Sequence, residues 1–461
     1  MTVERNSQYP FDLAKLVAAN LRNACGTAPP ESVLVRLLET LYFASLRTDE
    51  GRRPLCTVNF VEAGAPEGGA PKVATANRWT AVPFATPLPL DVRTLTKLAR
   101  AADPEASSLN VFADAEGSLF IWGMVDQEPR HGDQIVLQAD SDSHRPGLFQ
   151  ATITGAGSVS VFHHGVLWGN LTQHVLVDAH YDVLWTGPVH TLLAEYLRAY
   201  VAEHHPELLA ECGSPNPERL DRELLLRWLN SLSRLLVNVQ HYRHGGGLVI
   251  VPSPTDSRAQ TKYRIEYDRL VRSVIGLARA HLLRQQSLTA VMDADRVEGS
   301  AGLRAPLAYL RNVQGELEQR KAEILGCLRF IAALSCVDGV VLLDKNLGVR
   351  GFGVELRPEG YLDEVFMAGD ALAEPSRLRR VDITQFGTRH RAMMRYCHQH
   401  PGSLGFAISQ DGGIQAFMRI GDRLVLWENI DVALAFDVDD FSAASPRLFP
   451  VLRWLSMRAD K

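Results

Sequence analysis

The sequence predicts an α/β protein of two domains, and three observations lead to this fold class. At 461 residues, the chain is too long for one typical hydrophobic core. Some segments repeat apolar residues at helical spacing, whereas others alternate or run apolar without a break, as strands do. A stretch rich in Gly, Ser and Pro at 212–217 separates two halves of this kind.

The N-terminal half, residues 1–190, is predicted to be one α/β unit. Its expected elements, in order, are helices at 11–24 and 31–46, a strand at 55–62, a helix at 91–102, a hairpin at 109–125 and further strands within 135–185. The hairpin is expected because two strand patterns flank Asp114-Ala-Glu-Gly117. No catalytic constellation stands out in this half.

The C-terminal half is predicted to contain a helical linker (191–218), a second α/β domain (219–440) and a tail (441–461). Its expected elements, in order, are a glycine-led strand at 245–252, helices at 262–286 and 303–335, strands at 337–343 and 349–356, a helix at 388–400, and a meander of strands at 404–409, 414–419 and 424–427. The long helical stretch at about 262–330 is interpreted as an insertion.

Composition, charge and cysteine spacing exclude several function classes. With 46% apolar and 22% charged residues the chain is an ordinary globular protein, and its net charge of −5 argues against a chain-wide nucleic-acid surface. The six cysteines show no Cys-x-x-Cys spacing, which indicates reduced core thiols. The N-terminus has no apolar signal-peptide core, and no window resembles a membrane span. We therefore expect a cytoplasmic protein.

Two short motifs in the second half carry chemistry. Residues 387–391 read Gly-Thr-Arg-His-Arg, which places two guanidinium groups at a helix start that can offer backbone N–H groups to a polyanion. The alternative interpretation is a solvent-facing basic helix start. Asp338-Gly339 stands at the mouth of an apolar strand, where a carboxylate is a natural ligand for Mg²⁺ or Mn²⁺. Together the two motifs indicate phosphoryl or nucleotidyl transfer.

Four elements in this order resemble the diadenylate cyclase (DAC) family. They are Gly247-Leu-Val-Ile-Val251, Asp338-Gly339-Val340, Gly387-Thr-Arg-His-Arg391 and Ser409-Gln-Asp-Gly-Gly413, and the resemblance extends over about residues 220–430. It implies a mixed β-sheet flanked by helices, and the joining of two ATP into cyclic di-AMP with release of two pyrophosphates. Since one such domain holds one ATP, it also implies a homodimer or higher oligomer with domains face to face. The N-terminal half resembles the DACNV-type sensor domains found ahead of such cyclases, whose ligand we leave open.

The resemblance also implies a role for each matching residue. Asp338 would bind Mg²⁺ or Mn²⁺ and help activate the 3′-hydroxyl, with Gly339 allowing close approach of the sugar. Arg389, His390 and Arg391 would hold the triphosphate and offset charge at the α-phosphorus. The remaining implied residues are Gly387, Thr388, Ser409, Gly412 and Gly413 at the nucleotide, and Asp411 as a second metal ligand.

Two departures from the family pattern support alternative hypotheses. Val340 replaces the usual alanine and would add bulk near the nucleotide. Gln410-Asp411 replaces a pair of glutamates, and a neutral amide is a poorer cation ligand than a carboxylate. These features favour a catalytically inactive sensor of a nucleotide or cyclic dinucleotide. A third hypothesis is a scaffold with an incidental Arg-rich helix.

Overall fold

The structure, a computed structural model, consists of two compact units, residues 1–180 and residues 181–461. It describes residues 8–25, 29–61, 80–103, 106–126, 149–163, 166–172, 175–177, 181–212, 217–242, 244–253, 259–298, 303–358, 360, 362, 364–409, 413–430 and 432. None of the helices in these ranges is both long enough and apolar enough to cross a membrane. The predicted α/β fold class is confirmed.

The first unit is an eight-stranded mixed sheet with helices on one face. Its helices are α1 (Pro10–Cys25), α2 (Glu31–Ser45) and α3 (Val92–Leu98). Its strands are β1 (Thr57–Phe60), β2 (Thr80–Pro89), β3 (Ser107–Ala113), β4 (Leu119–Asp126), β5 (Phe149–Gly155), β6 (Ser158–His163), β7 (Val166–Thr172) and β8 (Val175–Val177), in the spatial order β2-β4-β3-β1-β5-β6-β7-β8.

The two faces of this sheet differ in chemistry because strand side chains alternate between them. Apolar residues such as Val58 and Val111 pack with the leucines of α1 and α2 in one core. The opposite face carries a buried carboxamide row across three strands. In it Gln150 Nε2 donates to Asn59 Oδ1 (2.8 Å), and Asn59 Nδ2 donates to Asn110 Oδ1 (2.9 Å). Hydrogen bonds between these amides offset much of the cost of burying them.

The second unit is built on a nine-stranded mixed sheet. Its helices are α4 (Gly187–Cys212), α5 (Pro217–His241), α6 (Arg269–Glu298), α7 (Arg304–Leu334) and α8 (Thr388–Gln399). Its strands are β9 (Gly246–Val251), β10 (Ala259–Tyr267), β11 (Val340–Asp344), β12 (Val349–Leu356), β13 (Val365–Ala368), β14 (Leu378–Val381), β15 (Leu404–Ile408), β16 (Ile414–Ile420) and β17 (Arg423–Trp427), in the spatial order β10-β12-β11-β9-β15-β16-β17-β13-β14.

Helices cover both faces of this sheet, so the second unit has three layers. Leu248 and Ile250 of β9 point into a core shared with α4 to α7. Val249 and Val251, on the opposite face, point into a smaller core that includes Met393 of α8. Because both faces are covered, β9 reads as a continuous apolar run and not as an alternating one. Helix α8 thus lies alone on its side of the central strands among the described residues.

Two predictions for the second half need correction. Residues 262–267 were expected to begin a helix, but they belong to strand β10, and helix α6 begins only at Arg269. Thr261, Tyr263 and Ile265 alternate with charged residues, which is the strand period. The segment 191–218 was expected to be a linker, yet α4 contributes Leu193 and Leu197 to the main core of the second unit. The predicted tail, 441–461, lies outside the described residues.

Candidate active site

The sequence motifs meet at one edge of the second sheet because of how three strands run. Strand β11 runs parallel to β9, with Val341 beside Leu248, whereas β15 runs antiparallel to β9, with Ile408 beside Gly246. The residues just before β11 and β9 therefore lie at the same edge as the residues just after β15. Asp338-Gly339 and Ser409 are thereby brought to this edge from positions that are 71 apart in the chain.

Backbone geometry explains why a glycine follows Asp338. Gly339 adopts φ +112°, and a Cβ built on it would lie 2.7 Å from the backbone carbon of Gly353 and 2.8 Å from the backbone nitrogen of Val354. Any side chain here would collide with β12 and would also occupy an unfavourable backbone region. The tight turn leaves the Asp338 side chain fully exposed at the mouth of β11.

The basic motif forms the first turn of α8. Gly387 precedes the helix with extended backbone and provides no side-chain cap, and the Arg391 N–H is the first to bond back, to the Gly387 carbonyl (3.0 Å). The N–H groups of the first turn consequently have no acceptor within the helix. A Cβ built on Gly387 would meet no described atom within 4 Å. This helix start therefore offers N–H groups and the positive end of the helix dipole on an open side.

Arg389 connects three parts of the site. Its Nη1 donates to the Gly245 carbonyl at the entry to β9 (3.0 Å), and its Nη2 lies 3.9 Å from Asp338 Oδ1. The first contact fixes the guanidinium in place. The second is long and joins an exposed carboxylate, so it is weak and leaves both groups able to bind another partner. Arg391 lies two residues further along α8 and is half-buried, and Thr388 is exposed.

His390 is held between two aromatic rings. Its ring lies 6.4 Å from that of Phe386 and 6.1 Å from that of Phe417 on β16. Burial, with a smaller contribution from the positive charge of Arg389, lowers the pKa of His390. The imidazole is therefore neutral at neutral pH, where it can donate one hydrogen bond and accept another.

Ser409 closes a tight turn between β15 and β16. Its N–H donates to the Gly413 carbonyl (2.9 Å), and the Gly413 N–H donates to Ser409 Oγ (3.0 Å). This turn orients the hydroxyl at the same edge as Asp338. Gln410, Asp411 and Gly412 lie outside the described residues, so the predicted roles of Asp411 and Gly412 remain predictions.

Val340 does not reach the open side of the site, contrary to the expectation that it adds bulk near a nucleotide. It is 2% exposed and packs in the core between the sheet and α8. Its Cγ1 would be 2.8 Å from a Cβ at Gly247, which would also be 3.1 Å from Met393 Cε. Because Gly247 has no side chain, Val340 and α8 can pack closely against it, and the valine is a core packing residue.

Sequence reasoning missed two polar side chains and one backbone acceptor at this edge. Glu428 follows β17, Gln415 lies beside it on β16, and Gly245 supplies the acceptor for Arg389. A weak signal existed for Glu428, because it ends the apolar run Leu424–Trp427 at a strand terminus. Its relation to the motifs depends on the strand order, which no local pattern specifies.

The donor groups at this edge suit a divalent cation that also binds a phosphate. No group of three or more His, Cys, Asp or Glu side chains within the described ranges is placed to hold a metal by itself. Asp338 is an exposed carboxylate and Ser409 is a hydroxyl, both hard oxygen donors. Mg²⁺ commonly binds proteins through one or two carboxylates and completes its shell with substrate phosphates and water. These residues fit that mode of binding, in which a phosphate ligand must be present.

The comparison with known families concerns the first unit. Residues 23–126 match the family model described as "Probable sensor domain DACNV". This stretch runs from the end of α1 to the end of β4 and includes the centre of the carboxamide row. Sensor domains of the DACNV type are associated with diadenylate cyclases. Neither the curated proteins nor the solved structures contain a match to the chain.

Proposed function

We propose that the second unit is a diadenylate cyclase domain and that the DACNV-type domain regulates it. The reaction joins two ATP into cyclic di-AMP and releases two pyrophosphates. The observation that supports this most is the convergence of Asp338, Arg389 and Ser409 at one sheet edge, beside a helix start whose first N–H groups have no acceptor within the helix.

The reaction requires the protein mainly to position phosphates and to offset their charge. Each 3′-oxygen attacks the α-phosphorus of the other ATP, the bond from that phosphorus to the pyrophosphate oxygen breaks, and the hydroxyl proton leaves. The first turn of α8 and the two guanidinium groups bind the phosphates, and neutral His390 adds a hydrogen bond. Asp338 orients the 3′-hydroxyl. Mg²⁺ or Mn²⁺ bound through Asp338 and Asp411, the two ligands that the family resemblance implies, would offset phosphate charge.

A single chain supplies one Asp338 and one α8 start, whereas the product contains two equivalent linkages. Two chains related by a two-fold axis would therefore have to present their sites to each other. We accordingly propose a homodimer as the smallest active species. Its substrate is ATP, and the preference for adenine rests on the family resemblance.

The test is incubation of the full chain with ATP and Mn²⁺ or Mg²⁺, followed by liquid chromatography and mass spectrometry. We expect cyclic di-AMP from the wild type, and none from Asp338→Asn or Arg389→Ala/Arg391→Ala with the fold retained by circular dichroism. The matched control is Arg304→Ala/Arg311→Ala, which removes the same charge from exposed positions on α7. Product at the wild-type rate from Asp338→Asn would refute the assignment.

A nucleotide receptor without turnover is the second candidate, and Gln410 is the observation that favours it. In this case ATP or cyclic di-AMP would raise the melting temperature of the wild type, and Arg389→Ala/Arg391→Ala would abolish the rise. No cyclic product would form with either metal at any protein concentration.

A further inference from the structure

Glu428 is a half-buried carboxylate without an ion-pair partner in the described part of the chain. It stands at the end of β17, half-buried, and its one described hydrogen bond comes from Gln415 Nε2 to Oε1 (3.3 Å). Burial raises the pKa of Glu428, and attraction to Arg379 offsets only part of the effect. No basic group among the described residues forms an ion pair with it within 4 Å. A carboxylate placed in this way costs stability, which suggests a functional reason for it.

Gln415 also has a polar atom whose hydrogen-bonding capacity is unused. Its Oε1 is buried and has no hydrogen-bond partner within the described structure, because the amide nitrogen is used to hold Glu428. A buried acceptor without a donor lowers stability, because its hydration is lost and no hydrogen bond replaces it. Besides the hydrogen bond that joins them, the pair therefore presents two acceptor oxygens, the amide oxygen of Gln415 and a carboxylate oxygen of Glu428.

The strand register places this pair on the α8 side of the site. Gln415 lies beside Ala407 on β15, two residues before Ser409, so the side chains of all three point to the same face of the sheet. Phe417, two residues further along β16 and hence on the same face, contacts His390 of α8. Gln415 and Glu428 thus lie on the face of the sheet that α8 covers, on the side away from Asp338.

The carboxylates of Asp338 and Glu428 therefore lie at opposite ends of the site. Four strand steps separate β11 from β17, which is about 19 Å at the usual strand spacing. Asp338 and Glu428 are therefore too far apart to share one cation. The start of α8 lies between them, so a phosphate chain that extends from Asp338 across Arg389 and Ser409 reaches toward Glu428. Two anions would then approach each other, which is favourable only if a cation bridges them.

We propose that Glu428 is a ligand of a divalent cation that binds with the pyrophosphate part of the nucleotide, and that Gln415 Oε1 provides a second oxygen. This inference rests on the proposed function, because the phosphate chain completes the site. An ion coordinated by one carboxylate, one amide oxygen, phosphate oxygens and water has the donor set that Mg²⁺ and Mn²⁺ prefer. Glu428 would thereby provide a carboxylate in a chain whose sequence has neutral Gln410 in place of a family glutamate.

The experiment measures nucleotide affinity with and without the cation, using an ATP analogue with a methylene bridge between the α- and β-phosphates, which cannot be cyclised. Its dissociation constant is determined by calorimetry in Mn²⁺ and in EDTA for the wild type, Glu428→Gln and Gln415→Ala. Asp422→Asn, an exposed acid in the turn at the opposite edge, is the control. Electron paramagnetic resonance counts the Mn²⁺ bound per chain.

We expect Glu428→Gln to weaken analogue binding in Mn²⁺ by at least about tenfold and to reduce the bound Mn²⁺. In EDTA the same variant should bind the analogue equally well or more tightly, because a repulsive charge is gone. Gln415→Ala should show a smaller loss in Mn²⁺, and Asp422→Asn no change. The opposite response in the two buffers separates a cation ligand from a residue that merely supports the fold.

Equal weakening in both buffers would refute the inference and assign Glu428 a structural role, and no change in either buffer would place it outside the site. These results are distinguishable from failure of the proposed function. If the wild type does not bind the analogue in Mn²⁺ or in EDTA, the nucleotide assignment itself is wrong. If the wild type forms cyclic di-AMP and Glu428→Gln keeps its Mn²⁺ dependence, only the role of Glu428 is wrong.

Discussion

Replacement by alanine of the two motif glycines, Gly339 and Gly387, should have different effects: the first should lower stability, and the second should weaken ATP binding. At Gly339 an added Cβ would lie 2.7–2.8 Å from backbone atoms of Gly353 and Val354, at a backbone φ of +112°. At Gly387 the backbone is extended, with φ −64° and ψ 164°, and an added Cβ meets no described atom within 4 Å. Both glycines belong to site motifs, but only the first is required by the fold.

The expected magnitudes follow from these contacts. A non-glycine residue in this backbone region costs about 1–3 kcal/mol, and the overlap with rigid backbone costs about 1–3 kcal/mol more. Even the lower sum, about 2 kcal/mol, corresponds to a fall in melting temperature of about 4–8 °C for a domain of this size. Gly387→Ala should cost about 1 kcal/mol or less, because about 1 kcal/mol is the typical cost of placing alanine at an N-cap.

The assay is thermal unfolding of the full chain, with hydrogen exchange of peptides from β11 and β12 to locate the effect. Gly339→Ala should lower the melting temperature and speed exchange in these two strands. Gly387→Ala should leave both unchanged but weaken ATP binding, since its methyl group would occupy the side on which a phosphate approaches. Equal melting temperatures for Gly339→Ala and the wild type would refute the geometric explanation of the Asp-Gly pair.

Three further predictions concern single side chains. Arg389→Lys should weaken ATP binding by about tenfold or more in titration calorimetry, with little loss of stability. An ammonium cannot fork between the Gly245 carbonyl and a phosphate, and a lost charged hydrogen bond is worth about 1.5–3 kcal/mol. An unchanged dissociation constant would remove Arg389 from the site. The folded pKa of His390 lies below its unfolded value near 6.5, so the unfolded chain takes up the proton first as pH falls. Stability is therefore lost from about pH 6.5 downward. The fall in melting temperature between pH 7.5 and pH 5.5 should be smaller in His390→Gln than in the wild type. Val340→Ala should destabilise the second unit by about 2 kcal/mol in a urea titration without changing the rate of cyclic di-AMP formation, whereas a faster rate with the alanine would restore the view that Val340 crowds the nucleotide.

The elements that could be predicted from the sequence are those whose local signals agree. Helix α8 was expected at 388–400 and is found at Thr388–Gln399, because a glycine precedes it and His400-Pro401 follows it. The meander β15–β17 was also found within one or two residues of its prediction. Strands β2 and β14 were missed, since each lies at an edge of its sheet and has mostly exposed side chains, so that no apolar alternation marks it.

The residues of the candidate site likewise include some that local sequence patterns predict and some that they do not. Asp338 and Arg389 were predictable because each is embedded in a short motif with its own chemical logic. Gln415 and Glu428 were not, since their relation to Ser409 depends on three strands taking neighbouring places in register. Local patterns specify that a strand exists but not which strand lies beside it. Long-range register is therefore the information that sequence reading lacked here.

The proposed reaction places a constraint on how the sensor domain can act. Because each chain offers one α8 start and one Asp338, both bonds of the product form only when two sites face each other. The encounter of two second units is then a step that a signal can regulate without altering any residue of the site. At concentrations below the dimer dissociation constant, product formation should rise with the square of protein concentration, and a ligand of the first unit should shift that curve along the concentration axis. A ligand that instead changed the rate at saturating protein concentration would act on the chemistry of the site itself.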